Sequence, residues 1–323
     1  MIIYNPGIKP KNRHLQSLLA SSKIRLLRLK RNNPITTQSK EIIIESEQAH
    51  LQGFYTKKDA ADNLFILLHG WEGSATSTYI QLLANTLYNT NNASVFRLNF
   101  RDHGETHHLN KGLFHSCRLE EVIDSIKHIT DNYPHKNVYL CGFSLGANFS
   151  LRVAANSNSR KIKLTKVFAI SPPLVPKNSM KAIESNPIYA KYFMKKWQKS
   201  LAKKNIIYPQ NFKDSMYKKI KSLDELTHLL IVEHSGYKTI DAYFKGYQID
   251  TNVIEKIKTP CHVITSWDDP VIPFEDFSIL EKQQYIKLVT TKHGGHCGFI
   301  NSWSMHSWIE QYIIDNSKIA TGI

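Results

Sequence analysis

Residues 138–155 read VYLCGFSLGANFSLRVAA: an apolar strand-like run, the pentapeptide Gly142-Phe143-Ser144-Leu145-Gly146, and an apolar helix-like run. A serine on so tight a strand-to-helix turn has strained backbone dihedrals, and glycines two residues to either side let the helix pack close on the strand. The turn holds the hydroxyl out of the sheet. It also sets the Leu145 N–H at a helix N-terminus, where unsatisfied donors and the macrodipole favour a developing oxyanion. Five-residue patterns of common residues recur by chance. The strand–turn–helix setting is what makes Ser144 a candidate nucleophile and not an ordinary turn serine.

A serine held this way is followed in the chain by an acid and then a histidine. The strand-like run 261–265 gives way to Ser266-Trp267-Asp268-Asp269-Pro270-Val271-Ile272-Pro273. Either aspartate is a candidate acid. The same Asp-Asp-Pro also carries turn chemistry, because Asp bonds nearby backbone and Pro presets φ, and the two roles are compatible. Past a further strand-like run, 285–291, come Lys292-His293-Gly294-Gly295-His296-Cys297-Gly298-Phe299 and an aromatic-rich helix expected over about 302–314. His296, flanked by glycines near the end of the last strand, is the candidate base. An unperturbed imidazole titrates near ~6.5 and takes a serine proton near neutrality, while the aspartate fixes its tautomer. His293 is read as an exposed loop residue or a rim contact.

The second oxyanion donor in such sites comes from the loop after the third strand. The apolar run 64–68 ends in His69-Gly70-Trp71-Glu72-Gly73-Ser74, so the Trp71 N–H is the expected donor and His69 a structural residue tying loops together. Arg101-Asp102-His103-Gly104-Glu105-Thr106-His107-His108 follows the next strand-like run. Its three histidines and two acids raise the question of a metal. The spacing does not put two ligands on one helical face, and Gly104 argues for a loop, so no metal is expected.

Together these segments resemble the YheT-like branch of the α/β-hydrolases, a group of bacterial proteins assigned as esterases with eukaryotic relatives acting on medium-chain esters and phospholipids. Beyond the elbow, the likeness rests on Asn12-Arg13-His14-Leu15-Gln16-Ser17, His69-Gly70-Trp71-Glu72-Gly73-Ser74, Asn99-Phe100-Arg101-Asp102-His103-Gly104 and Gly294-Gly295-His296-Cys297-Gly298-Phe299. Asp102 stands where a glycine is usual, and Ser17 where a threonine is. The resemblance implies Ser144, Asp269 and His296 as catalytic residues. It favours Asp269 over Asp268 because α/β-hydrolases usually carry the acid four residues before the proline.

Strand-like and helix-like segments alternate from about residue 64 onward, which predicts a mostly parallel, doubly wound sheet with helices on both faces. Runs 41–45 and 51–55 suggest an antiparallel start. A chain of 323 residues can bury one large core, and the expectation is a single α/β-hydrolase domain over 1–323 with a helical cap inserted at about 172–230. Cys117, Cys141, Cys261 and Cys297 lack paired spacing and suit a reducing cytoplasm. No continuous apolar leader or spanning segment is evident, so the expectation is a cytoplasmic protein, with membrane contact at most peripheral, at the inner membrane surface. Residues 142–146 form neither a dinucleotide fingerprint nor a P-loop, and no cofactor is expected.

The net charge of +15 is concentrated in two places. Residues 1–40, a basic N-terminal arm, hold nine Lys or Arg and no acid; residues 177–221 hold twelve and two. Within the second block Tyr189, Phe193, Trp197 and Leu201 recur every fourth residue. That stripe would line an acyl pocket or face the core, leaving the lysines to water. A basic amphipathic cap and arm suit an anionic lipid or substrate, against the bland reading of a solvated lysine face. Nucleic-acid binding is not expected, because no helix-turn-helix, zinc-finger or RNP pattern accompanies the charge. The expected function is serine-dependent hydrolysis of a small-molecule or lipid ester of short- to medium-chain acyl groups. The rival from another class is a non-catalytic scaffold on the same fold, which would be expected to have lost members of the constellation.

Overall fold

Strands that are apolar on both sides demand helices on both faces of a sheet. The computed structural model describes residues 4, 11–30, 32–210, 217, 219–301 and 304–317; the remaining residues of the basic N-terminal arm and of the inserted segment lie outside it. Such strands are β3 (Asn63–Leu68), β4 (Ala93–Leu98), β5 (Asn137–Phe143), β6 (Lys166–Ile170) and β7 (Cys261–Ser266). With β1 (Lys40–Glu45), β2 (His50–Thr56) and β8 (Ile286–Thr291) they form an eight-stranded sheet in the order β1-β2-β4-β3-β5-β6-β7-β8. β2 pairs antiparallel with β1 and β4, as runs 41–45 and 51–55 lead one to expect, and the other pairings are parallel.

The helices are α1 (Arg13–Ser21), α2 (Pro34–Thr37), α3 (Thr78–Thr90), α4 (Leu119–Asn132), α5 (Leu145–Asn156), α6 (Pro176–Glu184), α7 (Pro187–Ile207), α8 (Leu223–His234), α9 (Ile240–Gly246), α10 (Thr251–Lys256) and α11 (Trp308–Ser317). The period-two alternation of β3 divides the core. Phe65 and Leu67 join an apolar layer with Leu83 and Leu87 of α3 and Ile313 of α11, whereas Leu64, Ile66 and Leu68 join one with Ile126 of α4 and Phe149 of α5. Of the aromatic helix expected over 302–314, residues 302 and 303 lie outside the described residues, and α11 starts at Trp308. Helices α6 to α10 all fall between β6 and β7.

This strand order places the site. The chain leaves β3 toward β4 but leaves β5 toward β6, on the opposite side, so the crevice at the carboxyl ends of β3 and β5 is a topological switch point. The loop after β3 begins at His69, and the turn after β5 holds Ser144. Ser144 has φ 51° and ψ −119°, a left-handed value that a β-substituted residue adopts only when its surroundings enforce it. Enforcement comes from close packing. A Cβ on Gly146 would lie 2.4 Å from the His69 carbonyl oxygen, and one on Gly142 would lie 2.2 Å from that of Gly146.

The described part of the N-terminal segment packs on the body instead of trailing from it. After α1, a short 3-10 helix spans Lys23–Arg28. With three residues per turn, its side chains fall into three rows. Arg25 and Arg28 form the inward row and both pair with the buried Glu310 of α11, at 3.2 and 2.9 Å. Arg25 is fully buried, and burial pulls its guanidinium down to about 10, with Glu310 opposing the shift.

Two outcomes follow from this packing. Gly146→Ala should lower the melting temperature by the equivalent of about 3 kcal/mol or abolish soluble expression, because backbone has to move to admit the methyl. Glu310→Ala should cost about 3–5 kcal/mol, since it strands Arg25 in the interior. Calorimetry measures both. Limited trypsin digestion of the Glu310 variant should in addition cut early within residues 23–31.

Candidate active site

Ser144, His296 and Asp269 come from three separate loops and form one hydrogen-bonded line. His296 Nε2 lies 2.9 Å from Ser144 Oγ, and His296 Nδ1 lies 2.9 and 3.2 Å from the two Asp269 oxygens. The Asp269 carboxylate is buried and is held from behind: its Oδ1 accepts from the Val271 and Ile272 amides at 2.8 and 3.0 Å. A carboxylate fixed on both sides orients the imidazole with its Nδ1 proton toward Asp269 and Nε2 toward the serine. Burial works against charge on His296, yet Asp269 prevails and holds its pKa well above the ordinary histidine value.

Asp268 serves the neighbouring loop. Its Oδ1 accepts from the Gly295 amide at 2.9 Å, and its Oδ2 lies 3.4 Å from His293 Nδ1. The two aspartates thus split the labour. Asp269 faces the histidine ring, and Asp268 ties down the backbone that carries it.

That backbone is also clamped by α1. The His296 amide donates to Ser17 Oγ at 2.8 Å, and Ser17 Oγ donates to the Arg13 carbonyl at 2.7 Å. Gln16, fully buried, bonds the Ile300 backbone through both ends of its amide, at 2.7 and 3.1 Å. A Cβ on Gly295 would stand 2.4 Å from the Arg13 carbonyl oxygen, and one on Gly298 would stand 2.4 Å from that of Gln16. Reading the sequence attached no role to Ser17 or Gln16. The available signal was the segment 12–17, which carries part of the family resemblance and sets a glutamine within an apolar run.

On the other side of Ser144, the Leu145 N–H is the first amide of α5, with Ser144 as its N-cap residue. Neither it nor the Trp71 N–H donates a hydrogen bond among the described residues. The Trp71 loop is fixed at several points. The Gly70 amide donates to the Tyr79 hydroxyl at 2.9 Å, and the Trp71 ring stacks on Phe193 and meets Trp197 edge-on, each at 5.2 Å between centroids. His69 Nε2 accepts from the Phe100 amide at 3.2 Å, which leaves Nδ1–H to donate to the Gly70 carbonyl at 2.8 Å. Burial, with His103 adding to it, keeps His69 neutral. It bridges the loops after β3 and β4.

The segment 101–108 is similarly engaged. Arg101 pairs with the buried Glu121 at 2.6 Å, His103 Nδ1 donates to the Arg101 carbonyl at 2.7 Å, and His107 bonds Ser200 of α7 at 2.8 Å. No cluster of three or more His, Cys, Asp or Glu side chains suited to a metal occurs among the described residues.

Two cavities meet at Ser144. The inner one is walled by Leu113, Phe114, Met180, Trp197, Leu201 and Ile231, so Phe193, Trp197 and Leu201 of the stripe read from the sequence along α7 face this cavity, whereas its first member, Tyr189, lines the outer cleft. The outer cleft runs between α1 with its 3-10 extension and the start of α7, and it reaches His296. One lysine of α7 departs from the expectation of a solvated face. Lys204 is fully buried; its Nζ lies 2.7 Å from Asp102 Oδ1 and also donates to the His107 and Asn110 carbonyls. Asp102, at φ 59°, holds the left-handed position where a glycine is usual, and it lines both cavities. Glu72, also shared by the two, has its carboxyl pushed up to about 7 by burial, with Lys196 opposing and Asp102 reinforcing.

Among known proteins, the profile of the alpha/beta hydrolase fold matches residues 63–254. The monoacylglycerol lipase of Saccharomyces cerevisiae is 22% identical over 271 residues, covering 81% of this chain and 60% of the lipase. YheT of Escherichia coli (strain K12), designated an esterase, is 23% identical over 261 residues, covering 77% of this chain and 75% of YheT. The chain thus spans only about three-fifths of the yeast lipase. The crystal structure of the Pyrococcus furiosus esterase Pf2001 superposes with a TM-score of 0.57 at 19% identity, covering 84% of this chain and 88% of that one, a likeness of fold. The chain belongs to the alpha/beta hydrolase fold family, on its YheT-like branch.

Proposed function

We propose that this protein is a serine-dependent carboxylic ester hydrolase working through an acyl-enzyme at Ser144, with Asp269 and His296 completing the catalytic triad. The observation that carries the reading is the unbroken hydrogen-bonded line from Ser144 through His296 to Asp269. His296 Nε2 takes the Ser144 proton as Oγ attacks the ester carbonyl carbon. The amides of Trp71 and Leu145 hold the resulting oxyanion. The C–O bond to the alcohol then breaks, His296 returns its proton to the departing alkoxide, and the acyl group stays on Oγ. Water, deprotonated by the same imidazole, then attacks the acyl carbon, the C–Oγ bond breaks to free the acid, and His296 returns the proton to Ser144 Oγ.

Helices α6 to α9 act as the cap in this reading. The apolar inner cavity takes a short- to medium-chain acyl group, and the outer cleft takes the alcohol. Names of relatives point the same way: a lipase and proteins called esterases. No cofactor or metal enters the scheme.

Initial rates over p-nitrophenyl esters from acetate to palmitate test the proposal, with Ser144→Ala alongside. The expected outcome is turnover that falls by several orders of magnitude in the variant. Near wild-type turnover by folded Ser144→Ala would remove Ser144 from the mechanism.

The two aspartates separate by kinetics. Asp269→Asn should lower kcat by about 10⁴, because the imidazole loses its tautomeric guide. Asp268→Asn, which loosens only the loop, should cost at least about tenfold less. The pH profile has a definite sign. The reactive form is neutral His296, and its pKa is raised in the folded protein. The acid limb of kcat/KM should therefore fall off above the ordinary imidazole value of ~6.5, rising with pH through the raised pKa. An acid limb at or below that value would contradict the Asp269–His296 coupling.

A further inference from the structure

Large apolar side chains left in water are ordinary when scattered and informative when gathered. Among the described residues, five of the ten exposed large apolar side chains belong to the segments 18–27 and 188–192 at the lips of the outer cleft, while Ile206, Ile207 and Trp267 stand apart from it. On one lip, Leu18 of α1 is 56% exposed, and the 3-10 helix that follows adds Ile24 at 56% and Leu27 at 83%. The eclipsed rows of that helix explain why. Arg25 and Arg28 occupy the inward row on Glu310, Lys23 and Leu26 line the cleft, and Ile24 and Leu27 are left in the outward row. On the other lip, Ile188 and Tyr192 of α7 are 63% and 41% exposed and line the same cleft. The lips are joined by a hydrogen bond of 2.9 Å between His14 Nδ1 and the Tyr189 hydroxyl.

The charge exposed on the lips is basic, whereas the acids Asp102 and Glu72 line the cleft itself. The exposed face of α7 continues from Ile188 and Tyr192 through Lys191, Lys195 and Lys199, and none of these lysines has a carboxylate within ion-pair distance among the described residues. Helix α7 contains six lysines and no acid. On the opposite lip, residues 13–28 hold no acid; Arg25 and Arg28 are turned inward to Glu310, which leaves Arg13 and Lys23 as its exposed cations. Apolar side chains projecting beside unpaired cations are the composition of an interfacial surface: the apolar tips enter the acyl boundary while the ammonium groups meet anionic headgroups. A second copy of this chain, carrying the same +15, would be repelled at such a face. No helix among the described residues is long and apolar enough to cross a membrane, so the contact would be peripheral.

We infer that the mouth of the outer cleft docks on an anionic lipid bilayer, so that the cleft opens from the lipid surface toward Ser144. Delivery of a lipid ester to the serine rests on the proposed hydrolase function; the docking does not. Vesicle flotation of the full chain tests it, using phosphatidylcholine vesicles with and without phosphatidylglycerol. Two double variants probe the two parts of the surface: Ile24→Ser with Leu27→Ser, and Lys191→Glu with Lys195→Glu. None of these side chains lines the inner cavity or touches the catalytic line.

The expected result is binding at least about tenfold stronger to the anionic vesicles, weakened about tenfold or more by each double variant. Melting temperature and turnover of a soluble p-nitrophenyl ester should stay at wild-type levels. Three results would overturn the inference. The first is wild-type protein that stays with the unbound fraction at low salt. The second is binding unchanged by both double variants. The third is a dimer in sedimentation that Ile24→Ser with Leu27→Ser dissociates, which would assign the patch to a second copy. Because flotation needs no turnover, failure of the ester assay and failure of docking are separate outcomes.

Discussion

The close approach of α5 to the ends of β3 and β5 is the constraint on which the rest of the site depends. Gly146 lies so near the Leu68 and His69 carbonyls that a single methyl would strike both. Only that contact allows the helix to start directly after Ser144, and the loop after β3 then packs on the same serine, where a Cβ on Gly70 would stand 3.3 Å from the Ser144 Cβ. The left-handed φ of Ser144 is the local cost of this arrangement, offset by the Ser144 amide bond to the Ile170 carbonyl and by the packed strands around it. Strain here is a positional device. It lifts a hydroxyl clear of a sheet whose neighbouring strands are buried on both faces.

A second layer of order surrounds that turn. The imidazole must be held in place from loops with no strand of their own, and α1 supplies much of the support through Ser17, Gln16 and the close contacts at Gly295 and Gly298. The Arg25 and Arg28 pairing with Glu310 fixes the segment after α1, so the charge of the N-terminal region is partly invested in folding. The same division appears in α7. Lys204 is buried against Asp102 and carbonyl oxygens, while Lys191 and Lys195 stay in water. A buried ion pair contributes little net stability but is costly to break, which suits a contact that fixes where α7 sits over the serine.

The cavities inherit their character from that placement. Phe193 and Trp197 pack on Trp71, so the wall of the inner cavity and the loop after β3 form one aromatic cluster. Asp102, shared by the inner cavity and the outer cleft, is where ion pairing, left-handed backbone and cavity wall coincide.

Much of this was legible in the sequence, because the chemistry is local. An apolar strand, a tight glycine-flanked serine turn and an apolar helix are adjacent in the chain, so the elbow, the parallel sheet and the order serine, acid, histidine were readable from one strand of text. The loop after β3 was readable for the same reason. What the sequence could not decide was anything set by residues far apart in the chain. Family resemblance favours Asp269 over its neighbour Asp268, but the physical distinction, opposite pairing with His296 and Gly295, exists only once β7 and β8 lie side by side. Ser17 and His296 are separated by 279 positions, and no periodicity links them. The lysines of α7 are chemically identical in the sequence. Their helical phase relative to the β4 loop buries Lys204 and exposes Lys191 and Lys195. Local propensity and spacing wrote the elements; the packing of those elements against one another chose which side chains meet.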